Sequence, residues 1–160
     1  MDDLSRKRRY QRIQIQLQEL FQKTEDPLAR MSTLCALLHH KFPHFFWTGF
    51  YLLQCDELLV GPYQGSLACL QLAPHQGVCW AAIDRKSTVI VPNVSKFPGH
   101  IACDSRSRSE IAVPLRNSVS RIVGVLDIDS REINIFNKID EEELSILTGL
   151  IFSVKNKEEK

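Results

Sequence analysis

Between Gly61 and Glu110 the chain places Cys69, Cys79 and Cys103, each within a few residues of Gly, Pro or Asp. Those neighbours build turns, and loops carried on a rigid scaffold are where reactive side chains concentrate. A thiol that must meet a substrate and then a second thiol needs that freedom, so the setting points to thiol redox chemistry. Zinc is one rival use of thiolates, but no C-x-x-C occurs, and spacings of 10 and 24 residues fit no finger or ribbon. Packing is the other rival, because a free cysteine behaves as a small hydrophobe. That reading suits Cys35, on the apolar face of a helix, and Cys55, in the Gln54-Cys55-Asp56 turn.

Glu110, Asp127 and Asp129 form a second group. A two-residue period puts Asp127 and Asp129 on one face of the strand that contains them. Glu110 opens the preceding strand of the same hairpin, so antiparallel pairing can bring the three carboxylates together. Crowded like charges call for a cation or shared protons. A bound amino group is a natural partner; a solvated strand end is the alternative. Trp47 and Tyr51, four residues apart, share a strand face, either as packing against the terminal helices or as part of a site. His100, near Cys103, either lowers a thiol pKa or hydrogen-bonds its loop.

The elements that must position these residues follow from periodicity and turn chemistry. Residues 4–24 read as an amphipathic helix with Ile13, Leu17, Leu20 and Phe21 on one face. Asp26-Pro27 starts a second helix, with Leu28, Met31, Leu34, Cys35 and Leu38 at helical spacing, and Phe42-Pro43 ends it. Strands are expected over 45–53, 58–60 and 68–72, the last two separated by a turn at Gly61–Gly65. A short helix follows over 77–85, a strand over 88–91, an irregular connection over 93–108, and a hairpin over 110–115 and 121–129. A closing helix runs from Ile139 to about Lys155, with Leu144, Leu147, Ile151 and Val154 on its apolar face, and 155–160 is a frayed tail. The order predicts an α+β fold: a central antiparallel sheet with terminal helices on one face and site loops on the other. At 160 residues, 44% apolar and 24% charged, the chain suits one domain over 1–160 with a sizeable core. A net charge of +1 gives no global field for nucleic acid or a membrane surface. The basic start, Arg6-Lys7-Arg8-Arg9, leads into no apolar run, so neither a signal peptide nor a span is expected and the cytoplasm is the expected compartment.

Five segments carry a family resemblance: Trp47-x-Gly49-Phe50-Tyr51, Gly61-Pro62-Tyr63-Gln64-Gly65-x-x-Ala68-Cys69, Gly77-Val78-Cys79, Phe97 through Ile111 with its Pro98-Gly99-His100-Ile101-Ala102-Cys103-Asp104-Ser105 run, and Gly124 through Ser130. In these the chain resembles the free methionine-(R)-sulfoxide reductases, which are single GAF domains. The resemblance implies that Cys103 attacks the sulfoxide sulfur of free methionine sulfoxide and becomes a sulfenic acid. It implies that Cys69 resolves it as a disulfide, with Cys79 as an alternative resolving thiol, and that a thioredoxin-type reductant restores the dithiol. It further implies that Glu110, Asp127 and Asp129 hold the substrate ammonium and supply a proton. Trp47 and Tyr51 would receive the S-methyl end, no metal or organic cofactor would take part, and the protein would be a homodimer. The chain departs from the family pattern at Gln76, Trp80 and Arg131. The alternative is a non-catalytic GAF module that senses a small ligand or redox state, which would need neither the three cysteines nor the three carboxylates.

Overall fold

A computed structural model describes residues 1–100 and 103–153. The elements run α1 (Asp3–Leu20), α2 (Pro27–Lys41), β1 (Phe45–Gln54), β2 (Glu57–Gln64), β3 (Gln71–Leu72), α3 (Gly77–Arg85), β4 (Val89–Val91), β5 (Ser109–Arg116), β6 (Ile122–Ser130) and α4 (Lys138–Gly149). One sheet takes all six strands in the order β3-β2-β1-β6-β5-β4, with every neighbouring pair antiparallel. The fold is α+β. No helix among the described residues is long and apolar enough to cross a membrane.

Helix starts follow local chemistry. The Asp2 carboxylate accepts from the Ser5 N–H, Asp26 accepts from Ala29 ahead of Pro27, and Asn137 with Asp140 forms a capping box on α4. The ends differ from the periodicity. α1 stops at Leu20, which is exposed, while Phe21 stays buried just beyond it. Leu28 is exposed in the first turn of α2, outside the buried stripe of Met31, Leu34, Cys35 and Leu38. α4 ends at Gly149, and Ile151 is buried in the turn after it; Val154 and the tail 155–160 lie outside the described residues.

The sheet divides two cores. Tyr10, Ile13 and Leu17 of α1, the apolar stripes of α2 and α4, and Phe50, Ile111, Val113, Leu126 and Ile128 of the strands fill one face. Trp47, Tyr51, Val78, Cys79, Trp80, Ala112 and Val125 fill the other, under α3. A bulge at Phe46 makes this possible: Phe45 pairs with Ser130 and Trp47 with Asp129, so one extra residue on β1 reverses the parity of the strand. Phe45 then points to the helices and Trp47 to the opposite face.

The expected turn at Gly61–Gly65 is strand as far as Gln64. Gly49 pairs with Tyr63 and Tyr51 with Val60, so Gly61-Pro62 oppose the single residue Phe50 in a second bulge. β3 covers only Leu58 and Leu59, which leaves the outer edge of β2 open where Pro62 lacks a donor. The turn falls at Gly65, whose φ of +125° and the 2.7 Å approach of a built Cβ to the Phe46 carbonyl exclude a side chain.

Candidate active site

The register of the three central strands lays out a polar floor. Glu110 of β5 pairs with Asp129 of β6, and Asp129 pairs with Trp47 of β1. Two residues along, Ala112, Asp127 and Gly49 form the next row. Gly49 is required there: a Cβ would stand 2.4 Å from Tyr63 Cβ and 2.5 Å from the Trp47 ring. Its absence lets the Trp47 indole stack between Tyr51 (centroids 5.8 Å apart) and Tyr63 (5.5 Å). The pair Trp47–Tyr51 therefore packs on the face away from the terminal helices, and its polar atoms reach a loop. Trp47 Nε1 donates to the Ser66 carbonyl at 3.2 Å and the Tyr51 hydroxyl to the Cys69 carbonyl at 3.2 Å.

Those two bonds hold the segment that carries Cys69. A disulfide joins Cys69 to Cys103 across 34 residues of sequence, with Cα atoms 5.6 Å apart. Ser66 Oγ donates to Asp104 Oδ2 at 2.7 Å, which ties the same two loops a second time. Hydrogen bonds from Arg106, then from Ser66, keep the Asp104 carboxyl below the usual carboxylate range. Cys103 is exposed and Cys69 half-buried. Cys79 is apart from them, free and 3% exposed in the first turn of α3, where it faces Asp127 and Glu110. Burial pushes its thiol pKa well up, and the charges of Asp127, Glu110 and Asp129 add to the effect.

Below the disulfide a cavity is lined by Trp47, Tyr51, Cys79, Cys103 and the three carboxylates, together with Leu67, Gln76, His100 and Ser107. Of the expected site residues, all but Cys69 line this pocket, and Cys69 is tied to it through its disulfide to Cys103. Glu110 and Asp127 are 7% and 6% exposed, and burial drives both carboxyls well above their ordinary pKa. The charge of Asp129 raises both further and that of Glu110 raises Asp127, so the pair retains a proton where isolated carboxyls have lost theirs. Asp127 Oδ1 is buried and has no hydrogen-bond partner among the described residues. Asp129 is raised less, to about 6, by burial; a hydrogen bond from the Ser107 hydroxyl and the nearby His100 oppose the rise. His100 Nε2 lies 3.3 Å from Glu110 Oε2, so this ring serves the carboxyl cluster, while its own pKa is lowered by burial.

Ser107 was not among the expected site residues. It precedes β5, where strand parity gives no guide, and only its place in the Ser105-x-Ser107-x-Ser109 run marks it. Gln76, one of the departures, lines the cavity as the N-cap of α3 and makes no side-chain capping bond. Trp80, another, turns away: its ring lies 4.8 Å from His75, so the indole does not fill the pocket beside Cys79. Arg131 rests over the Phe46 ring at 5.1 Å. Cys35 is buried in the opposite core, and Cys55 is exposed in its turn at φ 48°. The Ile101-Ala102 step of the cysteine segment lies outside the described residues.

The chain is similar to known proteins in sequence and in fold. The GAF domain model matches residues 24–153. GAF domain-containing protein A of Dictyostelium discoideum is 40% identical over 148 residues, 92% of each chain. The free methionine-R-sulfoxide reductase of Escherichia coli is 41% identical over 127 residues, 79% of this chain and 76% of that protein. Among solved structures, the free methionine-R-sulfoxide reductase of Neisseria meningitidis, in complex with its substrate, superposes with a TM-score of 0.84 at 38% identity, covering 89% of this chain and 85% of that one.

Proposed function

The chain belongs to the GAF domain family and, within it, to the free methionine-R-sulfoxide reductases, and from that premise we propose that its pocket reduces free L-methionine-(R)-sulfoxide to methionine. One observation carries the proposal: two cysteines far apart in sequence are bonded at the mouth of a cavity floored by buried carboxyls. That is the arrangement a thiol reductase reaches after one turnover.

Cys103, the more exposed partner, attacks the sulfoxide sulfur. The sulfur–oxygen bond breaks, methionine leaves, and the oxygen remains on Cys103 as a sulfenic acid. Departure of the oxygen needs a proton, and the Glu110–Asp127 pair, which burial keeps protonated to higher pH than isolated carboxyls, supplies it. Asp129, with the lowest pKa of the three, is ionised at neutral pH and receives the substrate ammonium. The unpartnered Asp127 Oδ1 is a second acceptor for it. The S-methyl group meets the Trp47–Tyr51 stack. Cys69 then attacks the sulfenic sulfur, releasing water and closing the disulfide. A thioredoxin-type dithiol reopens it by exchange at the exposed Cys103–Cys69 bond, which suits a reducing compartment such as the cytoplasm. Cys79, free in the disulfide form, is the alternative resolving thiol. The family resemblance supports a homodimer.

The test couples the protein to thioredoxin, its reductase and NADPH. NADPH is expected to be consumed with free methionine-(R)-sulfoxide and not with the (S) epimer. Binding of the (R) sulfoxide without any turnover would leave the chain a ligand-sensing GAF module.

A further inference from the structure

The spacing of the cysteines disfavours zinc, yet the fold assembles a donor set that spacing cannot reveal. Cys79 Sγ, a Glu110 carboxylate oxygen and an Asp127 carboxylate oxygen lie within 4.8 Å of one another, all buried. The thiol comes from the first turn of α3 and the carboxylates from the facing strands β5 and β6, so three separate elements hold the donors. Among the described residues Asp127 Oδ1 is an acceptor with no partner, in a residue only 6% exposed that lines the cavity. A buried carboxylate oxygen left unmatched costs free energy until something donates to it or coordinates it.

From this we propose that Cys79, Glu110 and Asp127 form a binding site for one divalent cation of borderline softness, of the zinc class, and that the cation and the amino group of an amino-acid ligand exclude each other. A thiolate selects against magnesium and calcium, and two carboxylates select against cuprous copper, so the mixed set suits zinc, cobalt or cadmium. Tetrahedral ligands at about 2.0–2.3 Å from such an ion stand roughly 3.5 Å apart, so the set closes with an inward movement of about 1 Å. The cation takes the place of the protons that the carboxyl pair and the Cys79 thiol otherwise keep, and those protons leave to solvent. Its fourth position opens to the cavity, the place of a water in zinc sites that are not purely structural. Because Cys69 and Cys103 are bonded to each other, the site stands complete in the disulfide form. A bound cation also ties up the Cys79 thiol, removing it as a resolving group. Ion binding does not depend on the reductase reading, whereas the exclusion of the amino group rests on that reading's placement of the substrate ammonium.

The experiment titrates Co²⁺ into the chelator-treated, disulfide-closed protein and reads the sulfur-to-cobalt charge-transfer absorption. Binding of one equivalent with that band is expected. Cys79→Ser is expected to abolish the band and weaken binding at least about tenfold, and Asp127→Asn to weaken binding on the same scale while keeping the band, since even outer partners of a metal act at that level. Cys55→Ser, which removes the exposed thiol, should change neither. Added methionine sulfoxide should raise the apparent Kd for Co²⁺. No band, a band that survives Cys79→Ser or vanishes with Cys55→Ser, or Co²⁺ affinity indifferent to saturating sulfoxide would each overturn the proposal. Circular dichroism of each variant checks folding, and Asp127→Asn alone decides the matter if Cys79→Ser does not fold.

Discussion

Cys103→Ser is expected to abolish turnover, because a serine hydroxyl at that place is un-ionised at neutral pH and cannot attack sulfur as a thiolate does. Cys69→Ser separates the half-reactions. Its first step needs only Cys103, so it should release about one methionine per chain in a rapid-quench assay and then stall with thioredoxin. Normal cycling by Cys69→Ser would move the resolving role to Cys79, despite the burial of that thiol. The carboxyls decide selectivity. An N-acetylated sulfoxide has no ammonium and leaves the buried acceptors unmatched, at about 1–3 kcal/mol per lost partner. That is roughly a tenfold to hundredfold lower kcat/KM than for the free amino acid. Asp129→Asn should narrow the gap by depressing kcat/KM for the free substrate. Equal use of both substrates by the wild type would reduce the cluster to a strand end.

Part of the chain's polar burial sits at the ends of elements. Arg30 is 2% exposed in α2, and its guanidinium donates to the carbonyls of Phe21 (3.1 Å) and Thr24 (2.9 Å) after α1, and of Ile151 (3.0 Å) and Ser153 (2.7 Å) after α4. One side chain thus closes the C-terminal ends of two helices. Arg30→Met keeps much of the stem but strands those carbonyls, and a loss of about 3 kcal/mol in guanidinium unfolding is expected; a loss below about 1 kcal/mol would mean that water replaces the cap. Such a role is illegible in sequence, because the partners lie up to 123 residues away. The same limit explains the rest. Glu110 opposite Asp129 was readable, since strand period and hairpin order fix it. Cys79 against Asp127 was not, because it is a helix-to-sheet contact that no spacing encodes. Gly61-Pro62 reads as a turn from residue types alone, whereas a bulge on a strand with one open edge absorbs both residues. The short helix 77–85 matched its expected bounds because Gly77 and the left-handed Lys86 punctuate both ends locally.

For the molecule as a whole, the carboxyl cluster sets substrate recognition against stability. Asp129 has its pKa raised from 3.8 to about 6 in the fold, so between those values the folded chain holds a proton that the unfolded chain has lost. Stability from this group is present below about pH 4 and is lost as pH rises through about 6, by about 3 kcal/mol in all. Glu110 and Asp127, also raised, act with the same sign. His39, His44 and His100 act oppositely: burial lowers their pKa values from 6.5, so falling pH destabilises the fold through them. A wild-type melt alone therefore mixes both signs, and the difference between wild type and Asp129→Asn isolates the carboxyl. Asn cannot ionise, so the variant should gain stability relative to wild type as pH rises from 4 to 7, by up to about 3 kcal/mol. Saturating free methionine sulfoxide at pH 7 should then recover stability in the wild type, because an ammonium pairs the ionised Asp129, and recover less in the variant. Thermal melts of both proteins across that pH range, with and without the sulfoxide, make the check. A constant difference between the two would mean that Asp129 titrates in the fold as it does in the unfolded chain.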